Sequence, residues 1–77
     1  MSTTVQNHRD QWRQAAAQVR QAMADQQLSQ VALAEATGIP RVTLIRRLNG
    51  QAPFTVTELA AVAAELGMTP ADFLAAA

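Results

Sequence analysis

The sequence predicts an all-α domain of about five short helices around one core, and three observations carry that prediction. The first is a device used three times. An apolar residue precedes a Ser or Thr, and a second apolar residue stands five positions after the first: Leu28-Ser29-Leu33, Phe54-Thr55-Leu59 and Met68-Thr69-Phe73. A hydroxyl in that place accepts from the free amides of a helix start, and the apolar pair staples the chain entering it. The second is that apolar residues between these starts recur three and four apart, the spacing of one helix face. The third is length: 77 residues make one domain with a modest core and no more.

In chain order, residues 1–6 lack periodicity and read as a mobile tail, leaving 7–77 as the domain. Asn7 is placed to cap the first helix, with Asp10 near its positive end. Trp12, Ala16, Val19 and Met23 make its inward stripe, and it should end between Ala24 and Gln27. The second helix starts near residue 30, with Ala32, Leu33 and Ala36 inward. Gly38 stands just past its last residues, where a left-handed conformation is expected. Pro40 keeps Ile39 extended and fixes φ for a third helix, whose inward residues are Leu44 and Leu48 and which Asn49-Gly50 stops. Thr55 and Glu58 form a capping box for the fourth, which runs through Leu59, Ala63 and Leu66 to Gly67. Pro70 occupies the first position of the fifth, where a missing N–H costs nothing, and Thr69 with Asp72 is close to a second box.

Helices two and three, each of about eight residues and joined by about three containing Gly, have the dimensions of a helix-turn-helix unit. By spacing alone, an ordinary helical hairpin within a bundle fits equally well.

Composition narrows the function classes. There is no cysteine, so disulfides and thiolate metal sites are excluded, and the single histidine, His8, in a polar stretch reads as solvated. No metal or other cofactor is therefore expected. No cluster of Ser, His or paired acids has catalytic spacing and no Gly-rich phosphate loop occurs, so neither an enzyme nor a small-molecule substrate is expected. No apolar run approaches the ~20 residues of a membrane span and the start is no signal peptide, which makes the cytoplasm the expected location. Six basic and six acidic residues cancel. Their distribution does not. All six arginines precede residue 50, three acids (Glu58, Glu65, Asp72) follow it, and 36–56 holds three arginines and no acid. A neutral chain so polarised can present a positive face to a polyanion.

The stretch LSQVALAEATGIPRVTLIRRLNG resembles the Cro and lambda-repressor (XRE-like) family of helix-turn-helix domains. The matching elements are Leu28-Ser29-Gln30, Leu33-Ala34, Gly38-Ile39, Leu44 and Asn49-Gly50, and ELAAVAAELGMTPADFL is similar to the family's fourth and fifth helices. Jointly these cover about residues 10–75. The resemblance implies a compact five-helix lambda-repressor-like domain with its helix-turn-helix in helices two and three. It also implies a sequence-specific regulator of transcription, a phage or bacterial repressor that reads the major groove of double-stranded DNA as a homodimer on an inverted-repeat operator. The large C-terminal domain of longer repressors does not follow, which favours a Cro-like regulator, although a piece of a longer chain is equally compatible.

Three positions depart from the family pattern. Pro40 replaces a small polar residue, so a cap and a phosphate donor are lost. Arg47-Leu48 stands where an aliphatic and an acid are usual. Met23 occupies the place of the basic partner that some relatives supply to that acid, so packing replaces an ion pair. Two readings of Arg47 stand: it snorkels toward phosphate, or fills a gap with its stem.

With Leu44 turned inward, steps of ~100° put Val42, Arg46 and Asn49 nearly opposite the core, with Ile45 at the flank. The resemblance brings Arg41, in the first turn, close to base edges. Arg41, Val42, Ile45 and Arg46 are thus the candidate base contacts. The bland alternatives are a solvated face for the arginines and cover by helix four or the Phe54 loop for Val42 and Ile45. Gln30 and Asn49 match family phosphate-contact positions, with Thr43 and Arg47 as further candidates. Gln51, Phe54 and Leu74 are the candidate dimer contacts, the last leading into an uncharged Ala75–Ala77 end. A second class of function stays open, an antitoxin-like or other protein-interaction module on the same fold. Its mark would be an exposed apolar patch away from residues 41–49.

Overall fold

The computed structural model describes residues 2–74, with side chains from residue 11 onward. Among the described residues there are five helices and no strand: α1 (Ser2–Asp25), α2 (Gln30–Thr37), α3 (Arg41–Leu48), α4 (Val56–Glu65) and α5 (Pro70–Leu74). Met1 of the expected tail, the Ala75–Ala77 end of the expected dimer region, and the side chains of Asn7, His8 and Asp10 lie outside the described residues. α1 already takes in residues 2–6, so Asn7 is an interior position of the helix and not its cap.

Three helices leave their last turn in the same way. After α1, the Leu28 amide donates to the Met23 carbonyl (2.9 Å) and Gln27 to Ala24 (3.1 Å). After α3, Gln51 donates to Arg46 (3.0 Å) and Gly50 to Arg47 (3.1 Å); after α4, Met68 donates to Ala63 (2.8 Å) and Gly67 to Ala64 (3.2 Å). Each pair satisfies two carbonyls that have no intrahelical partner, and each needs one residue in the left-handed region. That residue is Gln27 (φ 56°), Gly50 (φ 74°) or Gly67 (φ 71°). Leu28 and Met68, next in line, close one helix and staple the following one.

Gln27 is the anomaly of the three, because a side chain in left-handed backbone costs ~1–2 kcal/mol. Gln27→Gly relieves that strain while adding ~0.4–1 kcal/mol of freedom to the unfolded chain. The expected net is a stabilisation of up to ~1 kcal/mol, read as a higher urea midpoint. A lower midpoint would mean that contacts of the Gln27 side chain outweigh the strain.

The turn between α2 and α3 is Gly38-Ile39-Pro40. The Gly38 amide donates to Ala34 (2.9 Å) at φ 77°, and a Cβ there would meet nothing within 4 Å. Backbone conformation, not crowding, is what requires glycine. Ile39 is buried, and the Pro40 carbonyl accepts the first helical bond of α3 from Leu44 (2.9 Å). No side chain caps α3, as the loss of a hydroxyl at Pro40 implies. Ser29 does cap α2, its Oγ accepting from Ala32 N at 3.1 Å.

The core is Ala15, Val19, Ala22 and Met23 of α1, Leu33 and Ala34 of α2, Ile39 of the turn, Leu44 and Leu48 of α3, Leu59, Val62 and Ala63 of α4, Leu66 just after it, and Phe73 of α5. Met23 and Leu48 both belong to it, so the exchange of an ion pair for packing is realised. Three expected inward residues differ, Ala32 being only half-buried. Trp12 is only half-buried, because α1 reaches the core from Ala15 onward; Ala36 is exposed, and Ala34 takes its place. α1 packs on α3 and α5, α2 on α3 and α4, and α4 on α5. α3 is therefore backed by two helices, with its remaining face open.

Candidate functional site

That open face follows from where α3 is anchored. Leu44 and Leu48 are fully buried, which fixes the rotation of the helix about its axis. Val42 is then 72% exposed, and Arg41, Arg46 and Asn49 are exposed with it. Thr43 and Ile45 sit at the flanks, half-buried. Val42 is thus uncovered by α4 or the Phe54 loop, whereas Ile45 is partly shielded. Gln30 is exposed at the first position of α2. Among the described residues neither Arg41 nor Arg46 is held by an acid, so both forks are available.

Arg47 behaves differently. Its Nε donates to Glu58 Oε1 at 2.9 Å and its Nη2 to Oε2 at 3.4 Å, with the two side chains 20% and 19% exposed. Its half-buried stem fits both readings of Arg47, and the fork has a partner that neither included. A phosphate would have to displace Glu58. The same carboxylate accepts from the Thr55 amide (3.0 Å), while Thr55 Oγ1 accepts from the Glu58 amide (3.0 Å). The capping box that starts α4 is thereby also a clasp on the recognition-type helix α3.

Two predictions follow from this clasp. Thr55→Ala should cost ~1 kcal/mol of stability with no change in ligand preference, since only the cap is lost; an unchanged unfolding midpoint would remove the cap from the account. The second concerns acid. The hydrogen bond from Arg47, followed by that from the Thr55 backbone, holds the Glu58 carboxyl below its ordinary range against the opposing effect of burial. A depressed folded pKa stabilises above the unfolded value of ~4.3 and is lost as pH falls through the lower folded value. The stability gap between wild type and Glu58→Gln should be constant above about pH 5 and narrow below ~4.3. Parallel unfolding curves down to pH 2 would contradict it.

α1 and the residue that follows it hold two other helix ends. Arg20 Nη1 donates to the Leu48 carbonyl at the end of α3, and Gln26 Nε2 to the Leu66 carbonyl after α4 (2.8 Å). Donors suit these ends, where carbonyls are orphaned and the helix dipole is negative. Arg13 borders the same exit: a Cβ at Gly50 would stand 3.5 Å from its Cγ. Sequence reasoning missed Arg20 and Gln26 because their partners lie 28 and 40 residues away.

The candidate dimer contacts divide. Phe54, half-buried, and Leu74, 49% exposed, line one groove of about 210 Å³ with Trp12, Pro53 and Leu59. Gln51 is exposed and lies outside that lining. The groove contains no charged side chain. No helix of the described residues is long and apolar enough to cross a membrane.

A family model described as helix-turn-helix matches residues 19–74, from the buried part of α1 to the end of α5. No curated protein and no solved structure matches the chain.

Proposed function

Because the chain belongs to the helix-turn-helix family of the lambda-repressor and Cro type, a family of double-stranded-DNA-binding regulators, we propose that it is a sequence-specific repressor of transcription, of the phage or bacterial kind, that reads the major groove as a dimer. The observation that carries this reading is the open face of α3. Two arginines without an acidic partner among the described residues flank a bare valine there, on a helix locked in rotation by Leu44 and Leu48. A purely solvated face has no use for Val42.

Against DNA each group has a task. The guanidinium forks of Arg41 and Arg46 match guanine O6 and N7, and Val42 with the exposed edge of Ile45 suits thymine methyl groups. Gln30, Thr43 and Asn49 lie at the ends and flank of the helix pair, where contacts to phosphate set register without reading sequence. Arg47, clasped to Glu58, acts on the placement of α3. Such a protein works where the DNA is, in the cytoplasm or nucleoid.

Few phosphates can be neutralised by a chain of net charge zero, and eight residues of α3 span only a few base pairs. One domain falls short of the ~10⁻⁸ M typical of specific regulators, so two act together, with recognition helices ~34 Å apart. The uncharged groove lined by Trp12, Phe54 and half-exposed Leu74 supports the dimer reading, in which the same patch of each protomer would meet its copy about a two-fold axis. That same groove is the observation favouring a second reading, an antitoxin-like module whose main partner is another protein.

Selection of bound duplexes from a random pool, at two salt concentrations, tests the proposal. The expected outcome is an inverted repeat with half-site centres one helical turn apart, and a shallow salt dependence. A pool that emerges unenriched would defeat the regulator reading. An enriched single half-site of about five base pairs would defeat the dimer.

A further inference from the structure

Beside the start of α3 the two helices of the unit leave an open crease of about 450 Å³, lined by Val31, Ala34, Glu35, Gly38, Ile39 and Arg41. Its floor is apolar, Ala34 and Ile39 being buried. Its two charges face the same space from different helices: Glu35 from the last turn of α2, Arg41 from the first turn of α3. They form no ion pair with each other. Among the described residues the one ion pair is Arg47 with Glu58, and Glu35 and Arg41 are both exposed.

An acid at the mouth of a surface that meets a polyanion is a liability for affinity. It repels phosphate, and the chain has few positive charges to offset it. Its position opposite Arg41 gives that liability a use. An arginine beside DNA has two kinds of acceptor within reach, phosphate oxygens on every duplex and guanine edges on some. A carboxylate across the crease can accept from one edge of the guanidinium and leave the other edge to donate to a base. It also disfavours the arginine's movement toward the backbone, because a phosphate drawn into the crease would stand next to Glu35.

We propose that Glu35 is a specificity-determining residue, which restrains Arg41 toward base edges and lowers affinity for DNA lacking the correct base. This rests on the DNA-reading proposal for α3. Glu35 touches no base itself; it is a positioning residue that works through Arg41.

The test uses the full chain, wild type and Glu35→Gln, each with and without Arg41→Ala, on the selected duplex, on that duplex altered at each base pair in turn, and on an unrelated duplex. Glu35 is exposed, so Glu35→Gln should keep the thermal midpoint, which is measured alongside. The expected result is that Glu35→Gln binds the unrelated duplex several-fold more tightly, gains less on the selected one, and loses preference at a single base pair. That pair should be the one whose preference Arg41→Ala abolishes, and in the Arg41→Ala background Glu35→Gln should have no further effect on it. If Glu35→Gln raises affinity for all duplexes by one factor with every base preference intact, the carboxylate is only a bulk charge and the proposal fails. It fails equally if the lost preference persists independently of Arg41. A wild type without preference for any duplex would overturn the DNA-reading proposal itself, and this one with it.

Discussion

Phe73→Ala is expected to cost the domain from about a third of its stability to nearly all of it. Phe73 is fully buried, yet it stands in a helix of only five residues, far below the length at which a helix persists in water unaided. α5 is therefore held by what Phe73 fills, against α1 and α4. Truncating a buried Phe costs ~3–5 kcal/mol. A chain of 77 residues at ~0.05–0.15 kcal/mol per residue has about 4–12 kcal/mol in total. The variant should lie at or near its unfolding midpoint without denaturant at the lower end of that range. Because α1 also holds the end of α3 through Arg20, binding should fall in step with the folded fraction. Urea unfolding followed by far-ultraviolet circular dichroism checks this; a loss under ~1 kcal/mol would show that α5 is dispensable to the core.

Arg46→Ala should leave that unfolding curve untouched and act on recognition alone. Arg46 is exposed, has no acidic partner among the described residues, and projects from the side of α3 away from Leu44 and Leu48. A bidentate contact to guanine is worth ~1–3 kcal/mol of discrimination, about 5- to 150-fold in affinity for the best site. Preference should relax at one base pair only. Titration of duplexes altered singly along the site reads it directly. A uniform loss for every sequence would make Arg46 a phosphate contact instead.

Most of the fold was legible because its signals are local. Ser29, Thr55 and Thr69 each mark a helix start within a few residues of an apolar staple, and starts at residues 30, 56 and 70 are where the helices begin. Gly38 and Gly67 mark exits by the same local logic. The exit at Gln27 was readable only roughly, since a non-glycine residue in left-handed backbone carries no composition cue. The start of α1 was misplaced for a related reason: a polar stretch has no apolar period, so residues 2–6 gave nothing to detect.

The outward face of α3 was legible from two buried leucines four apart, which is enough to orient a short helix. What escaped were interactions between distant residues. The capping role of Glu58 could be read from Thr55, three positions away, but its second role with Arg47 depends on how α3 and α4 are juxtaposed. Arg47 stood out only as a charged residue at a half-buried angle. Arg20 reaching Leu48 left no mark at all in the sequence. The crease between Glu35 and Arg41 was equally hidden, because an acid and a base six apart across a turn share no helical face.

The central claim is that α3 reads base edges in the major groove, and guanine N7 reports on that groove alone. Methylation interference on the selected duplex is therefore the most direct measurement. Methylation at N7 of guanines in two half-sites, with centres about one helical turn apart, should abolish binding by the wild type, and Arg46→Ala should become insensitive at one guanine in each half. Undiminished binding to duplex methylated at every guanine N7 of the site would contradict the account.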